Sequence, residues 1–120
     1  LAESREKAWD DCEKHLHYMM SMYDKRYKEA DDMKAGAQIM SAPMIPPIGK
    51  LRNDKSVSFF GAPLIIGTPD DAIAEIERYQ KASRVTHLVM WMHMAGMPIE
   101  KVRSSMSLFA TEVMPHFRKD

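Results

Sequence analysis

Between Gly61 and Tyr79 the chain spells out a strand, a tight turn and a helix in immediate succession. Leu64-Ile65-Ile66 is a short apolar, β-branched run of the kind that forms a strand buried on both faces. Gly67 punctuates it. Thr68 then stands where a helix N-cap belongs, with Pro69 at the first helical position and Asp70 and Asp71 in the first turn. A threonine hydroxyl there accepts from an amide two or three residues on. The proline lacks an N–H that would be unsatisfied anyway, and the carboxylates complement the positive end of the helix. Ala72, Ile73, Ile76 and Tyr79 recur at helical spacing as the buried stripe. Such a unit leads into a parallel crossover.

A second strand-like run follows, Val85 to Met92. Strand alternation puts His87, Val89, Trp91 and His93 on one face and Leu88, Met90, Met92 and Met94 on the other. Ala95-Gly96 ends the run and Pro98 opens a last helix. Val102, Met106, Phe109 and Val113 are that helix's stripe, and Pro115 is expected to stop it. Upstream, Ser4 to Ala30 reads as a long amphipathic helix with Trp9, Cys12, Leu16, Met19, Tyr23 and Tyr27 on one face. Ser4 can cap it, with Glu6 in its first turn. Periodicity stops from Met33 to Phe60, where Gly36, Pro43, Pro46, Pro47 and Gly49 break any regular element. So long a loop suits a lid, a wrap around another part of the protein, or a plain connector. The expected segments are helix over 1–32, Pro-rich loop over 33–60 and two βα units over 61–120. Where applicable, their crossovers are right-handed.

Composition narrows the function classes. Lysine plus arginine equals aspartate plus glutamate, 17 each in 120 residues, so nothing in the balance argues for nucleic acid or an anionic membrane. No apolar run approaches the roughly 18 residues of a membrane span. Cys12 stands alone, which rules out an internal disulfide and fits a reducing, cytoplasmic compartment. His15 and His17 point about 200° apart on a helix and cannot chelate one metal as a pair. A methionine/histidine soft-metal site around Met90 to Met97 is weakened by alternation, which sends the two residue types to opposite faces.

Two strands and their helices leave open sheet edges. The segments Pro63-Leu-Ile-Ile-Gly-Thr-Pro-Asp-Asp71, Thr86-His-Leu-Val-Met-Trp-Met-His93, Gly96-Met-Pro98 and Phe109-Ala-Thr-Glu-Val-Met-Pro115 resemble the C-terminal end of the bacterial luciferase-like, flavin-dependent monooxygenases. Ala2-Glu-Ser-Arg-Glu-Lys-Ala8 is similar to the opening of an earlier helix in that family. One departure is visible: the family usually has a glycine where this chain has Ser83-Arg84. The resemblance implies an α/β fold, the C-terminal fragment of a TIM (β/α)8 barrel. On that reading the chain supplies its last two βα units and a long preceding helix.

The resemblance also implies reduced flavin, FMN, reacting with oxygen to oxygenate a small organic substrate in the complete enzyme. The cofactor carries the hard chemistry. The family's phosphate-holding loops are absent from this chain, so tight FMN binding and turnover are not expected of it alone. Barrel sites lie at the C-terminal strand ends, which singles out Thr68, Trp91 and His93. His93 is the candidate catalytic residue, able to donate a proton or polarise a substrate. Trp91 is the candidate cofactor-binding residue, a flat wall for the isoalloxazine. The plainer alternatives are a helix cap for Thr68, core packing for Trp91, a loop histidine for His93 and a satisfied core histidine for His87. The expected partners are the missing N-terminal barrel portion or other copies of this chain. A non-catalytic, self-associating module is the alternative function, since exposed strand edges and adaptable methionines suit association.

Overall fold

The computed structural model describes residues 1–31, 45–54, 58–59 and 62–118. Of the irregular stretch expected over 33–60, residues 33–44, 55–57 and 60 lie outside the described residues.

Helix α1 spans Arg5–Asp31. Ser4 caps it as expected: its hydroxyl accepts from the Lys7 amide at 3.1 Å. The inward face carries Ala8, Cys12, Leu16, Met19 and Met20, with Trp9 and Tyr23 packed at its margin. Glu13 is also buried, four residues after Trp9 and three before Leu16 on the edge of that face. Its carboxylate accepts from the Gly49 amide at 2.8 Å and from Arg52 Nη2 at 2.6 Å, and Arg52 also reaches Asp10 at 2.9 Å. Burial opposes the charge on Glu13, yet Arg52 and the amide outweigh it and hold the carboxyl below its usual range. This clamp seats a 3₁₀ turn at Leu51–Asn53, whose Leu51 is fully buried against Leu16, Met19 and Met20.

Strands β1 (Ser58–Phe59) and β2 (Ala62–Pro63) form an antiparallel ladder of two rungs. The chain then runs through Leu64, Ile65 and Ile66 to helix α2, Pro69–Ser83. The turn before α2 is the one the sequence spells. Asp71 N–H donates to Thr68 Oγ1 at 3.3 Å, and the Thr68 amide donates back to Asp71 Oδ2 at 3.0 Å, a capping box with aspartate in the third position. A side chain at Gly67 would collide with the Asp71 carboxylate, so the box requires glycine there. Arg5 grips Asp71 from α1, Nε to Oδ2 at 2.8 Å and Nη2 to Oδ1 at 2.5 Å. Helix α2 ends on Arg84, which takes the left-handed conformation at φ 37°. Arg84 thus adopts a conformation that glycine would favour.

Helix α3, Ile99–Leu108, opens after Pro98 as expected. Its buried face is Val102 and Ser105, with Met106 exposed instead. Lys101 ties α3 to α1 through Asp11 at 2.6 Å. Pro115 does not stop the helix. A π turn over Phe109–Val113 carries it into α4, Met114–Phe117. A proline ring clashes with the carbonyl four residues back, and widening the preceding turn relieves that clash. The π turn places Val113 in a second core cluster with Ala72 and Ile76, flanked by Ile65, Ile73, Phe109 and Phe117.

The expected α/β fold is overturned. The regular elements among the described residues are helical apart from the two-residue strands, and they form no parallel sheet and no barrel fragment. Leu64–Ile66 and Val85–Met92 form neither helix nor ladder, and the second bends at Thr86. A strand needs a hydrogen-bonding neighbour, and these two stretches border one cavity but among the described residues exchange no backbone bonds. Leu64–Ile66 is half-buried on both sides rather than fully: Leu64 and Ile66 pack on the α1 cluster, Ile65 on the α2 cluster. Among the described residues no helix is long and apolar enough to cross a membrane.

Candidate functional site

From residue 85 to 94 the chain crosses the surface in neither helix nor ladder, with a bend at Thr86, and from Val89 its side chains alternate. Val89, Trp91 and His93 are exposed, while Met90, Met92 and Met94 turn inward. The alternation between faces follows the expectation. The direction does not, because Trp91 lies on the outer face, 70% exposed, rather than toward an interior. Helix α1 faces this stretch with a row at intervals of four, Tyr18, Met22 and Arg26, flanked by Met19 and Tyr23.

Between the two lies an open cleft of about 380 Å³. Tyr18, Tyr23 and Trp91 give it three aromatic walls, Met19 and Met22 fill between them, and Arg26 and His93 add its polar groups. The Trp91 indole N–H donates to the backbone carbonyl of His93, which fixes the ring's direction. Trp91 also borders a second, apolar cavity of about 300 Å³ against Leu16, Leu64, Tyr79 and Leu88. Chemically, the first cleft can stack a planar ring on aromatic faces and offer a guanidinium to an anionic substituent.

Two of the three residues singled out by sequence, Trp91 and His93, therefore line one cleft. Thr68 lies elsewhere, and its hydroxyl is taken up in the capping box. His87 is exposed beside the Thr86 hydroxyl at 3.0 Å, so it is not a core histidine. Tyr18 and Arg26 were not foreseen. Their spacing with Met22 was a legible signal, although nothing marked which surface of α1 would meet this stretch. Among the described residues no group of three or more histidine, cysteine or carboxylate side chains is placed to hold a metal.

The strongly perturbed groups serve the scaffold. Arg5, with the Thr68 amide and hydroxyl, outweighs burial and holds Asp71 far below the usual carboxylate range. Lys101 and Lys7 do the same more mildly for Asp11. Burial pushes the Cys12 thiol up to about 12, which leaves it protonated and inert.

The aromatic lining suits the ring system of a flavin, and Arg26 suits an anionic group. Among the described lining residues there is no glycine-rich backbone cradle for a phosphate. Comparison with known proteins found no matching family model, no matching curated protein and no matching solved structure.

Proposed function

We propose that this chain is part of a cytoplasmic flavin-dependent monooxygenase of the luciferase-like kind, and that alone it touches flavin without turning it over. The observation that supports this reading is the meeting of Trp91 and His93 with Tyr18, Tyr23 and Arg26 around one cleft. Bound FMN, once reduced, would supply the oxygen chemistry for a small organic substrate. The chain's own residues have narrower roles. Trp91 and Tyr23 hold the ring by stacking, Arg26 neutralises an anionic edge, and His93 holds a proton at the cleft's rim. Met19 and Met22 exclude water from beneath the ring.

The test is an FMN titration followed by tryptophan fluorescence, with Trp9 present in every variant. Saturable but weak quenching is expected, reduced several-fold in Trp91→Ala and weakened in Arg26→Ala for FMN more than for riboflavin. Quenching unchanged by Trp91→Ala would remove the cleft from the reading. Stoichiometric FMN binding with substrate turnover would remove the claim that the chain is incomplete as a catalyst.

A non-catalytic, self-associating module is a second reading, and one observation favours it. Val89 is 95% exposed beside exposed Leu88 and Trp91, an apolar row among the described residues.

A further inference from the structure

Four of the chain's twelve methionines fall between residues 90 and 97. Alternation weakens a mixed methionine and histidine site there, yet it gathers the methionines, for Met90, Met92 and Met94 share the inward side. A turn then brings in the fourth. The Met97 amide donates to the Met94 carbonyl at 3.0 Å, and Gly96 takes φ 78° at the position where such a turn favours glycine. All four methionines line one cavity of about 70 Å³, and Cys12, buried on α1, lines it too. That volume admits an ion and falls far short of the roughly 300 Å³ at which organic-ligand pockets begin. Five sulfur-bearing side chains thus surround a space of ionic size.

We propose that this cavity is a site for a soft monovalent cation, Cu(I) or Ag(I), held by the sulfurs of Cys12, Met92 and Met97. The inference is independent of the flavin reading. Thiolate and thioether sulfur select Cu(I) over hard cations, whose ligands are oxygens. Charge selects the same ion. Thioethers are neutral and Cys12 supplies one negative charge once it gives up its proton. That balances a monovalent ion and leaves a divalent one uncompensated in a buried place. Asp11 and Lys101 also line the cavity, and they pair with each other at 2.6 Å. Burial keeps the Cys12 thiol protonated in the metal-free chain. Binding exchanges that proton for the metal: a metal–sulfur bond forms as the S–H bond breaks, the proton goes to solvent, and no oxidation state changes. Met90 and Met94 border the apolar cavity as well, which leaves Met92 and Met97 to close on the ion.

The full chain is titrated with Ag(I), and with Cu(I) kept reduced by ascorbate in competition with a chromophoric Cu(I) chelator. Wild type should take up one ion per chain and release one proton with it. Met92→Leu and Met97→Leu, volume-conserving swaps that cores tolerate, should keep the helical circular dichroism. Each should weaken binding about tenfold or more, at least what the loss of an outer-shell partner costs a metal site. Met106→Leu, which alters an exposed methionine of α3, should bind as wild type does. No uptake by wild type, or uptake unchanged in the double variant Met92→Leu/Met97→Leu, would overturn the site. Zn(II) competing on equal terms would overturn the choice of cation, and uptake without proton release would remove Cys12 from the ligands. The proton count is read on wild type alone, so it tests the site even where a variant loses its helical dichroism.

Discussion

Arg84 shows how much hangs on one backbone angle. Its φ of 37° lies in the left-handed region, which glycine and, less readily, asparagine and aspartate adopt but an arginine does at a cost. The left-handed conformation costs a non-glycine residue about 1–2 kcal/mol, and glycine gives back about 0.5–1 kcal/mol through added freedom of the unfolded chain. Arg84→Gly is therefore expected to stabilise the protein by up to about 1 kcal/mol, read as a higher urea midpoint at unchanged slope. A lower midpoint would mean that the Arg84 side chain contributes more than its backbone costs. Residue types alone marked this position as a departure from a familiar pattern, and they marked the Thr68–Asp71 cap correctly. Both are local: each depends on neighbours within four positions, and such chemistry is legible without the fold.

Elements were legible to the degree that they are self-sufficient. A helix satisfies its own backbone, so caps and a 3.6-residue period suffice to announce α1, α2 and α3. A strand does not. Leu64–Ile66 and Val85–Met92 have strand composition and strand alternation, but the ladder that defines a strand is a property of two segments. Pro115 was misread for a related reason: one π turn accommodates it, and no residue pattern announces that adjustment. The cleft was half legible, because alternation put Trp91 and His93 together while the matching row on α1 needed the packing. The α2 cap carries a pH dependence whose sign is fixed. Asp71 is depressed in the folded state by Arg5, against burial, with help from Thr68. Its stabilisation is present above the unfolded carboxyl value of about 3.9 and is lost as pH falls through the lower folded value. Asp71→Asn should lower the melting temperature near neutral pH, and the gap to wild type should close below about pH 4. Melting curves that stay separated by the same interval down to pH 2 would show the loss to be steric rather than electrostatic.

At the scale of the molecule, two apolar clusters divide the work. One joins α1 to the 3₁₀ turn through Leu16, Met19, Met20 and Leu51; the other joins α2 to the π turn through Ala72, Ile76 and Val113. Three consecutive residues stitch them, Leu64 and Ile66 facing the first and Ile65 the second. The ion pairs Arg5–Asp71 and Lys101–Asp11 also cross between the helices, but each has an exposed partner, and exposed pairs contribute little. Cooperativity therefore runs through this stitch. Leu51→Ala and Val113→Ala each empty a fully buried site, and the leucine truncation should cost about 2–5 kcal/mol. Because the two sites share no partner, the double variant should be additive within about 0.5 kcal/mol. Wild type should unfold in one transition, with tryptophan fluorescence and helical circular dichroism tracing the same curve. Replacing Leu64, Ile65 and Ile66 together by serine removes the stitch's apolar coupling on both sides while leaving each cluster's buried members in place. The two probes should then separate, because both tryptophans lie outside the second cluster and the dichroism counts all helices. Coincident curves in that variant would place the coupling in the ion pairs instead.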